Sequence, residues 1–483
     1  MTKRILLITL LCLTGWSPLV FAKNGYHIQM KFSDVKDSLV YLAYYYGKPL
    51  PNAIYKVDSA RLDNNGNLVF QSKDTTIGGI YLILMSDHKN YFEFLLNNGD
   101  DITINVTVKE LPTSGGISFK NSPENEHFME YVKFLKAYGV KHQQLMLQYT
   151  SAKTAADSNA ARKTIKQHSD ELIQYRNDYA KKMPNTLLAS IFRALELPEV
   201  PEGVHHLPDG KVDSDFAYNY TKKHYWDDFN FQDDRLIHTP IYDAKLSQYM
   251  NSLVLPIADS VEMEADKLLA KTRGTKELFK YTLWWLEHNA QDSKIMGMDA
   301  VVVYLVENYY MKGDATWLSS EDLQKYIDYA SKIAPNVIGN LAPEIKMPDA
   351  TGKDQSLLGL KAKYTLLVFW APDCGHCQAE IPLIDSVYKA VLKSRGVKIY
   401  AVKGGGTEQQ WKDFIKSHNL QDWTNVYDPD NTHQDFRSKY DVYSTPILYL
   451  LDEKKIIRGK RMDHTNILEV IEMTERKGKT TKQ

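Results

Sequence analysis

Leu366-Leu367-Val368-Phe369-Trp370-Ala371-Pro372-Asp373-Cys374-Gly375-His376-Cys377 is an apolar run of β type that breaks at Ala371-Pro372 and enters a helix at two cysteines separated by two residues. Thiols at that spacing sit one helical turn apart, close enough to close into a small disulfide and reopen. Cys374 falls at the helix N-terminus, where unpaired backbone N–H groups and the macrodipole favour thiolate over thiol. Cys374 is therefore the expected nucleophile and Cys377 the resolving partner, and the Cys374-Cys377 disulfide is expected to be the redox centre with no other cofactor. A structural zinc site would need four ligands, and the one further cysteine is Cys12, so no metal is expected. An inert disulfide normally bridges distant segments, which a two-residue spacer at a strand-to-helix junction does not.

Phe369 to Cys377, followed by Glu380-Ile381-Pro382, resembles the active-site block of the thioredoxin superfamily, and within it the TlpA/ResA-like thiol:disulfide oxidoreductases of bacterial cell envelopes. Ser444-Thr445-Pro446-Ile447 resembles the loop in which that superfamily carries a cis-proline beside the disulfide. The resemblance implies client contact at Thr445, Pro446, Gly375 and Trp370, with Trp370 packed beneath the site. The Cys-Gly-His-Cys spacer matches that of protein disulfide isomerase. A partly cationic His376 near the helix start would stabilise the Cys374 thiolate and make the disulfide more oxidising, while Asp373 acts in the opposite sense.

Release of the client needs a base for Cys377. Thioredoxins keep a buried aspartate six places before the first cysteine, but Val368 stands there. TlpA/ResA-like enzymes carry a glutamate just after the motif instead. Glu380 holds that place, three residues from Cys377 on the same helix, and the resemblance implies a proton relay through it. A first-turn acid that merely complements the helix dipole explains Glu380 nearly as well. Pro382, inside the same helix, should kink it.

With 483 residues the chain is too long for one ordinary core, and a formal net charge of −1 suggests no nucleic acid as partner. Lys3-Arg4, an apolar run from Ile5 to Leu13, and Val20-Phe21-Ala22 read as a secretory signal over residues 1–22, giving a periplasmic or envelope location. Its removal takes Cys12 with it and leaves Cys374 and Cys377 as the sole thiols.

From Tyr26 to Val106 apolar residues alternate with period two between turn signals such as Asn64-Asn65-Gly66, which predicts an all-β, sandwich-like domain over 23–120. Val57-Asp58-Ser59-Ala60 followed by Asn65-Gly66-Asn67 resembles the β domain that precedes thioredoxin modules in envelope proteins of this type. Tyr44-Tyr45-Tyr46 is better explained by sheet faces than by a sugar-stacking platform. Ser122 can cap a helix that opens with Pro123, and helical periodicity then continues, so 121–335 is an all-α domain. Phrases such as His224-Tyr225-Trp226-Asp227 and Met296-Gly297-Met298-Asp299 resemble a helical domain of unknown function; Met296 and Met298 with His288 read as packing and not as a copper site. Alternating strands and helices over 336–477 predict an α/β thioredoxin fold, with Gly404-Gly405-Gly406 as a flexible turn and 478–483 as a basic tail. The chain is thus expected to be an exported thiol:disulfide oxidoreductase acting on client protein disulfides with an envelope electron donor or acceptor. Family resemblance places reduction or isomerisation ahead of oxidation. The other reading is a binding or scaffold module over 23–335 with a redox-sensing thioredoxin domain. A peroxidase of the peroxiredoxin type is disfavoured because its Pro-x-x-x-Thr-x-x-Cys signature is absent.

Overall fold

The computed structural model describes residues 24–48, 54–87, 89–113, 115–430, 432 and 435–480. The expected signal segment, Cys12 and the last residues of the basic tail lie outside them. The fold is multidomain: β sheets at the N-terminus, helices in the middle and an α/β module at the C-terminus. It divides into two compact units, Met1–Leu246 and Ser247–Gln483.

In the first unit, the strands are β1 (Tyr26–Phe32), β2 (Leu39–Tyr45), β3 (Ile54–Arg61), β4 (Asn67–Ser72), β5 (Gly79–Met85), β6 (Tyr91–Leu96), β7 (Asp100–Val106) and β8 (Ile117–Lys120). They form two four-stranded sheets, ordered β4-β1-β7-β8 and β3-β2-β5-β6. Alternation turns Ile28, Phe70 and Ile102 of one sheet and Val40, Ile83 and Phe94 of the other into one shared core, which makes the domain a sandwich. Five helices follow: α1 (Pro123–Ser151), α2 (Ala155–Lys182), α3 (Leu187–Leu195), α4 (Phe216–His224) and α5 (Tyr242–Gln248). Ser122 does not cap α1 as expected. Its hydroxyl instead accepts from the Asn125 side chain at 2.8 Å, because Asn125 is buried and its amide is engaged with both the N–H and the carbonyl of Leu95 on β6. The tyrosine run at the end of β2 is packed inward: Tyr44 stacks on His238 at 3.9 Å, and the Tyr45 hydroxyl donates to Glu93.

The second unit opens with α6 (Ala258–Thr272), α7 (Glu277–Gln291), α8 (Asp299–Leu305) and α9 (Ser320–Ile333). A short hairpin of β9 (Lys346–Pro348) and β10 (Asp354–Ser356) leads into β11 (Tyr364–Trp370), α10 (Gly375–Val387), β12 (Val397–Lys403), α11 (Glu408–Ser417), β13 (Thr424–Val426), α12 (Phe436–Lys439), β14 (Ile447–Asp452), β15 (Ile457–Lys460) and α13 (Ile467–Thr480). The sheet order is β13-β12-β11-β14-β15, with β11 parallel to β12 and antiparallel to β14. Every residue of central β11 is buried, as expected of a strand covered on both faces. Leu366, Val368 and Trp370 join the core that holds Cys377 and Ile381, while Leu367 and Phe369 join the opposite core with Phe436 and Tyr440.

The helices of this unit are tied to its sheet by polar contacts as well. The buried Lys460 ammonium at the end of β15 donates to the Asp299 carboxylate at the start of α8 and to the Asn336 side-chain oxygen after α9. Asn336, also buried, donates its amide to the Lys439 carbonyl at 3.1 Å. Burial lowers the Lys460 pKa, against the pull of Asp299, so this cation is held by its partners and not by water.

Candidate active site

Parallel pairing of β11 with β12, and antiparallel pairing with β14, brings three segments to one end of the sheet. These are the turn from Trp370 to Cys374, the glycine run after β12 and the loop before β14. Cys374 is the N-cap residue of α10, with extended backbone (φ −90°, ψ 119°), which puts it at the start of the helix beside the first-turn residues His376 and Cys377. The Thr445-Pro446 peptide bond is cis, and the Thr445 carbonyl lies 3.2 Å from the Cys374 sulfur although 71 residues separate the two in sequence.

The two thiols are free, and they differ sharply in setting. Cys374 is half-buried. Burial works against its ionisation, but hydrogen bonds from the Thr445 side chain, the Cys377 backbone and thiol, and the His376 backbone outweigh that, so its pKa falls below the ordinary cysteine value. The Thr445 carbonyl can accept only from the neutral thiol, and ionisation breaks that one hydrogen bond. Cys377 is fully buried, its sulfur receiving the Ala371 N–H at 3.4 Å, and burial pushes its pKa up to about 11. Val368, at the place of the thioredoxin aspartate, lines the same apolar core as Cys377 and supplies no carboxylate.

Of the other expected site residues, Gly375 and His376 are exposed beside Cys374, and Thr445 and Pro446 are half-buried at its edge. The His376 backbone is among the groups that lower the Cys374 pKa. Trp370 corrects the expectation of client contact: it is fully buried, packing on Phe414 at 4.9 Å, and a side chain with no exposed surface supports the site from below without touching a client. Glu380 is half-buried on α10, but its carboxylate is engaged by His464. The His464 backbone N–H donates at 2.7 Å and its Nδ1 lies 2.9 and 3.0 Å from the two oxygens.

Sequence reasoning missed the role of Gly404-Gly405-Gly406, which is fitted closely and not a flexible turn. The Gly404 N–H donates to the Trp370 carbonyl at 2.6 Å, and its own carbonyl accepts from Arg437. A Cβ on Gly406 (φ +70°) would stand 2.7 Å from the Pro372 ring, and one on Gly404 3.2 Å from the Thr445 methyl. The run is pressed against both loops that flank the sulfurs; a glycine triplet directly after the neighbouring strand was the available signal. His464, 84 residues from Glu380, left none. Among the described residues no group of three or more histidines, cysteines and acids could hold a metal ion.

Residues 338–460 match the AhpC/TSA family, residues 139–336 a domain of unknown function (DUF5106) and residues 26–128 another (DUF4369). The C-terminal module is a thioredoxin-like domain of the AhpC/TSA family. The chain is similar to the methylamine utilization protein MauD of Paracoccus denitrificans, with 31% identity over 26% of this chain and 60% of that protein. It is also similar to the thiol-disulfide oxidoreductase ResA of Bacillus cereus, with 33% identity over 20% of this chain and 55% of that protein. A solved domain of a possible thiol-disulfide isomerase from Cytophaga hutchinsonii aligns at 40% identity over 30% of this chain and 99% of that domain, with a TM-score of 0.29. The chain thus spans somewhat over half the length of these two curated relatives. Thiol-disulfide oxidoreductases are the company this domain keeps.

Proposed function

We propose that the protein is an exported thiol:disulfide oxidoreductase that exchanges disulfides with envelope proteins through Cys374 and Cys377, and that reduction or isomerisation of clients is its main direction. The observation that carries this is the meeting of an N-cap thiol of lowered pKa, a second thiol within hydrogen-bonding reach and the carbonyl before a cis-proline. The Cys374 thiolate attacks one sulfur of a client cystine, forming the mixed disulfide and expelling the other client sulfur as a thiolate. Cys377, once deprotonated, attacks Cys374, forming the Cys374-Cys377 disulfide and releasing the second client thiolate. An electron donor must then supply two electrons to regenerate the dithiol.

Pro446 has no N–H to compete at that position, and the loop before it offers its backbone to an extended client segment. A resolving thiol as reluctant to ionise as Cys377 lengthens the life of the mixed disulfide, giving the client time to rearrange its own bonds, which supports isomerisation. Glu380 is the nearest acid along the helix and its carboxylate is engaged by His464, so deprotonation of Cys377 through Glu380 would involve that pair. Export rests on the Lys3 to Ala22 signal pattern. Among the described residues no helix is long and apolar enough to cross a membrane.

Redox titration of the Cys374/Cys377 couple, together with trapping in Cys377→Ser, tests the proposal. We expect a reversible two-electron couple, with a potential between about −270 mV and −180 mV, the values of thioredoxin and protein disulfide isomerase. Trapped clients should come free with dithiothreitol. A pair of thiols that never interconverts with a disulfide, or a Cys377→Ser protein that traps nothing, would overturn it.

A further inference from the structure

Tyr443 stands two residues before the carbonyl that meets the Cys374 sulfur, so its Cα lies within about 7 Å of Thr445 along the chain. It is 65% exposed, the most open aromatic side chain beside the sulfurs, whereas Val442 before it is buried in the sheet core. Tyr443 and Ser444 are exposed and Thr445 and Pro446 half-buried, so each residue from Tyr443 to the loop beside the sulfur has accessible surface. The ring is not loose. The Lys332 ammonium, in the last turn of α9, lies over it, 4.9 Å from its centroid.

Lys332 is itself held in place by the polar joint of this unit. Four residues after it, Asn336 binds the carbonyl of Lys439, the last residue of α12, and the Lys460 ammonium. Lys332 also lines a groove of about 700 Å³ between α9 and α12, with Tyr329, Ser438 and Lys439. α9 thus holds an aromatic ring two residues before the carbonyl that meets the Cys374 sulfur.

We infer that Tyr443 is a specificity-determining residue that stacks on an aromatic or large apolar side chain next to the client cysteine, and that Lys332 of α9 is its positioning residue. This rests on the exchange function proposed above. A client segment laid along Ser444 to Pro446 in extended form would present alternate side chains towards the loop, and the flat amphipathic face of a tyrosine held by a cation offers contact area at small entropic cost. Within this picture the helical segment contributes to choosing clients and not to the electron transfer itself.

The test uses the full-length protein and two synthetic peptides, each with one intramolecular disulfide, identical except for Trp or Gly beside the attacked cysteine. The readout is the ratio of KM values for the two peptides, so that any general change in activity divides out. Wild type should prefer the Trp peptide by about threefold to tenfold, Tyr443→Phe should keep most of that preference, and Tyr443→Ala should abolish it. Lys332→Ala should reduce it. Binding of the same peptides with both cysteines replaced by serine, followed by NMR titration, gives the preference without any turnover. Equal affinity of wild type for the two serine peptides, or a preference that survives Tyr443→Ala, would overturn the inference. Failure to turn over either disulfide peptide while the binding preference stands would instead overturn the exchange function.

Discussion

Each compact unit holds a buried titratable group far from its ordinary behaviour, and the two differ in what lies beside them. In the first unit His238 is 5% exposed, stacked on Tyr44, with burial pushing its pKa down to about 4. A Cβ on Gly79 would stand 2.2 Å from that of His238, so the strand itself is pressed against it. In the second unit Cys377 is as deeply buried, but its neighbour Cys374 sits at a helix tip with accessible residues alongside. Burial alone moves a proton equilibrium; chemistry also needs a reactive partner that a client can reach. His238 is accordingly a packing residue, while the sulfurs are where the proposed exchange would take place.

The largest effect that should separate them is on exchange. Cys374→Ser should lower the turnover of a model disulfide by at least about three orders of magnitude, whereas His238→Gln should leave it unchanged; loss of turnover in the histidine variant would break the comparison. Ionisation comes next. At pH 8, three units below its pKa, about one Cys377 thiol in a thousand is ionised. Alkylation by iodoacetamide should therefore label Cys374 at a pH below that needed for an ordinary cysteine, and Cys377 only as pH approaches 11. Two labels acquired together near pH 8.5 would contradict the split.

Acid stability should show the other side. His238 has a folded-state pKa below its unfolded value of 6.5, so the unfolded chain takes up the proton first. Stability present above pH 6.5 is lost as pH falls towards 4, by about 3 kcal/mol for a shift of this size. Denaturant unfolding followed across that window should show a shallower acid limb in His238→Gln. The smallest effect, and the sharpest contrast, comes from two glycines. Gly406→Val should slow exchange about tenfold or more by pushing on Pro372, and Gly79→Ala should destabilise the first unit with no change in exchange. Reversal of that pattern would mean that the glycine run plays no part in shaping the site.

How far the sequence reached follows from the range of the interactions involved. The strand, its break at Ala371-Pro372 and the cysteine pair on one helical turn are local, so β11, α10 and both sulfurs were legible, as was the class of each part of the chain. The cis-proline loop was legible only through resemblance, since nothing local says that Thr445 folds back onto Cys374. The resemblance set Trp370 beneath the site and also in contact with a client; its complete burial, with Phe414 far along the chain packed on it, fits the first and not the second. Gly404 to Gly406 read as flexible because a glycine run by itself permits freedom; only the pairing of β11 with β12 turns that freedom into a close fit. Glu380 with His464, and Tyr443 with Lys332, join residues that no spacing rule connects.

Lys460 has a practical consequence for anyone who trims or transplants the redox module. Cutting the chain just ahead of residue 338 would strip an interior ammonium of both Asp299 and Asn336, and leaving a sequestered charge without its counterpart typically costs about 3–5 kcal/mol. The seam that a family boundary suggests is therefore electrically closed. A portable version of the module would either carry α8 and α9 along or trade the lysine for an apolar side chain.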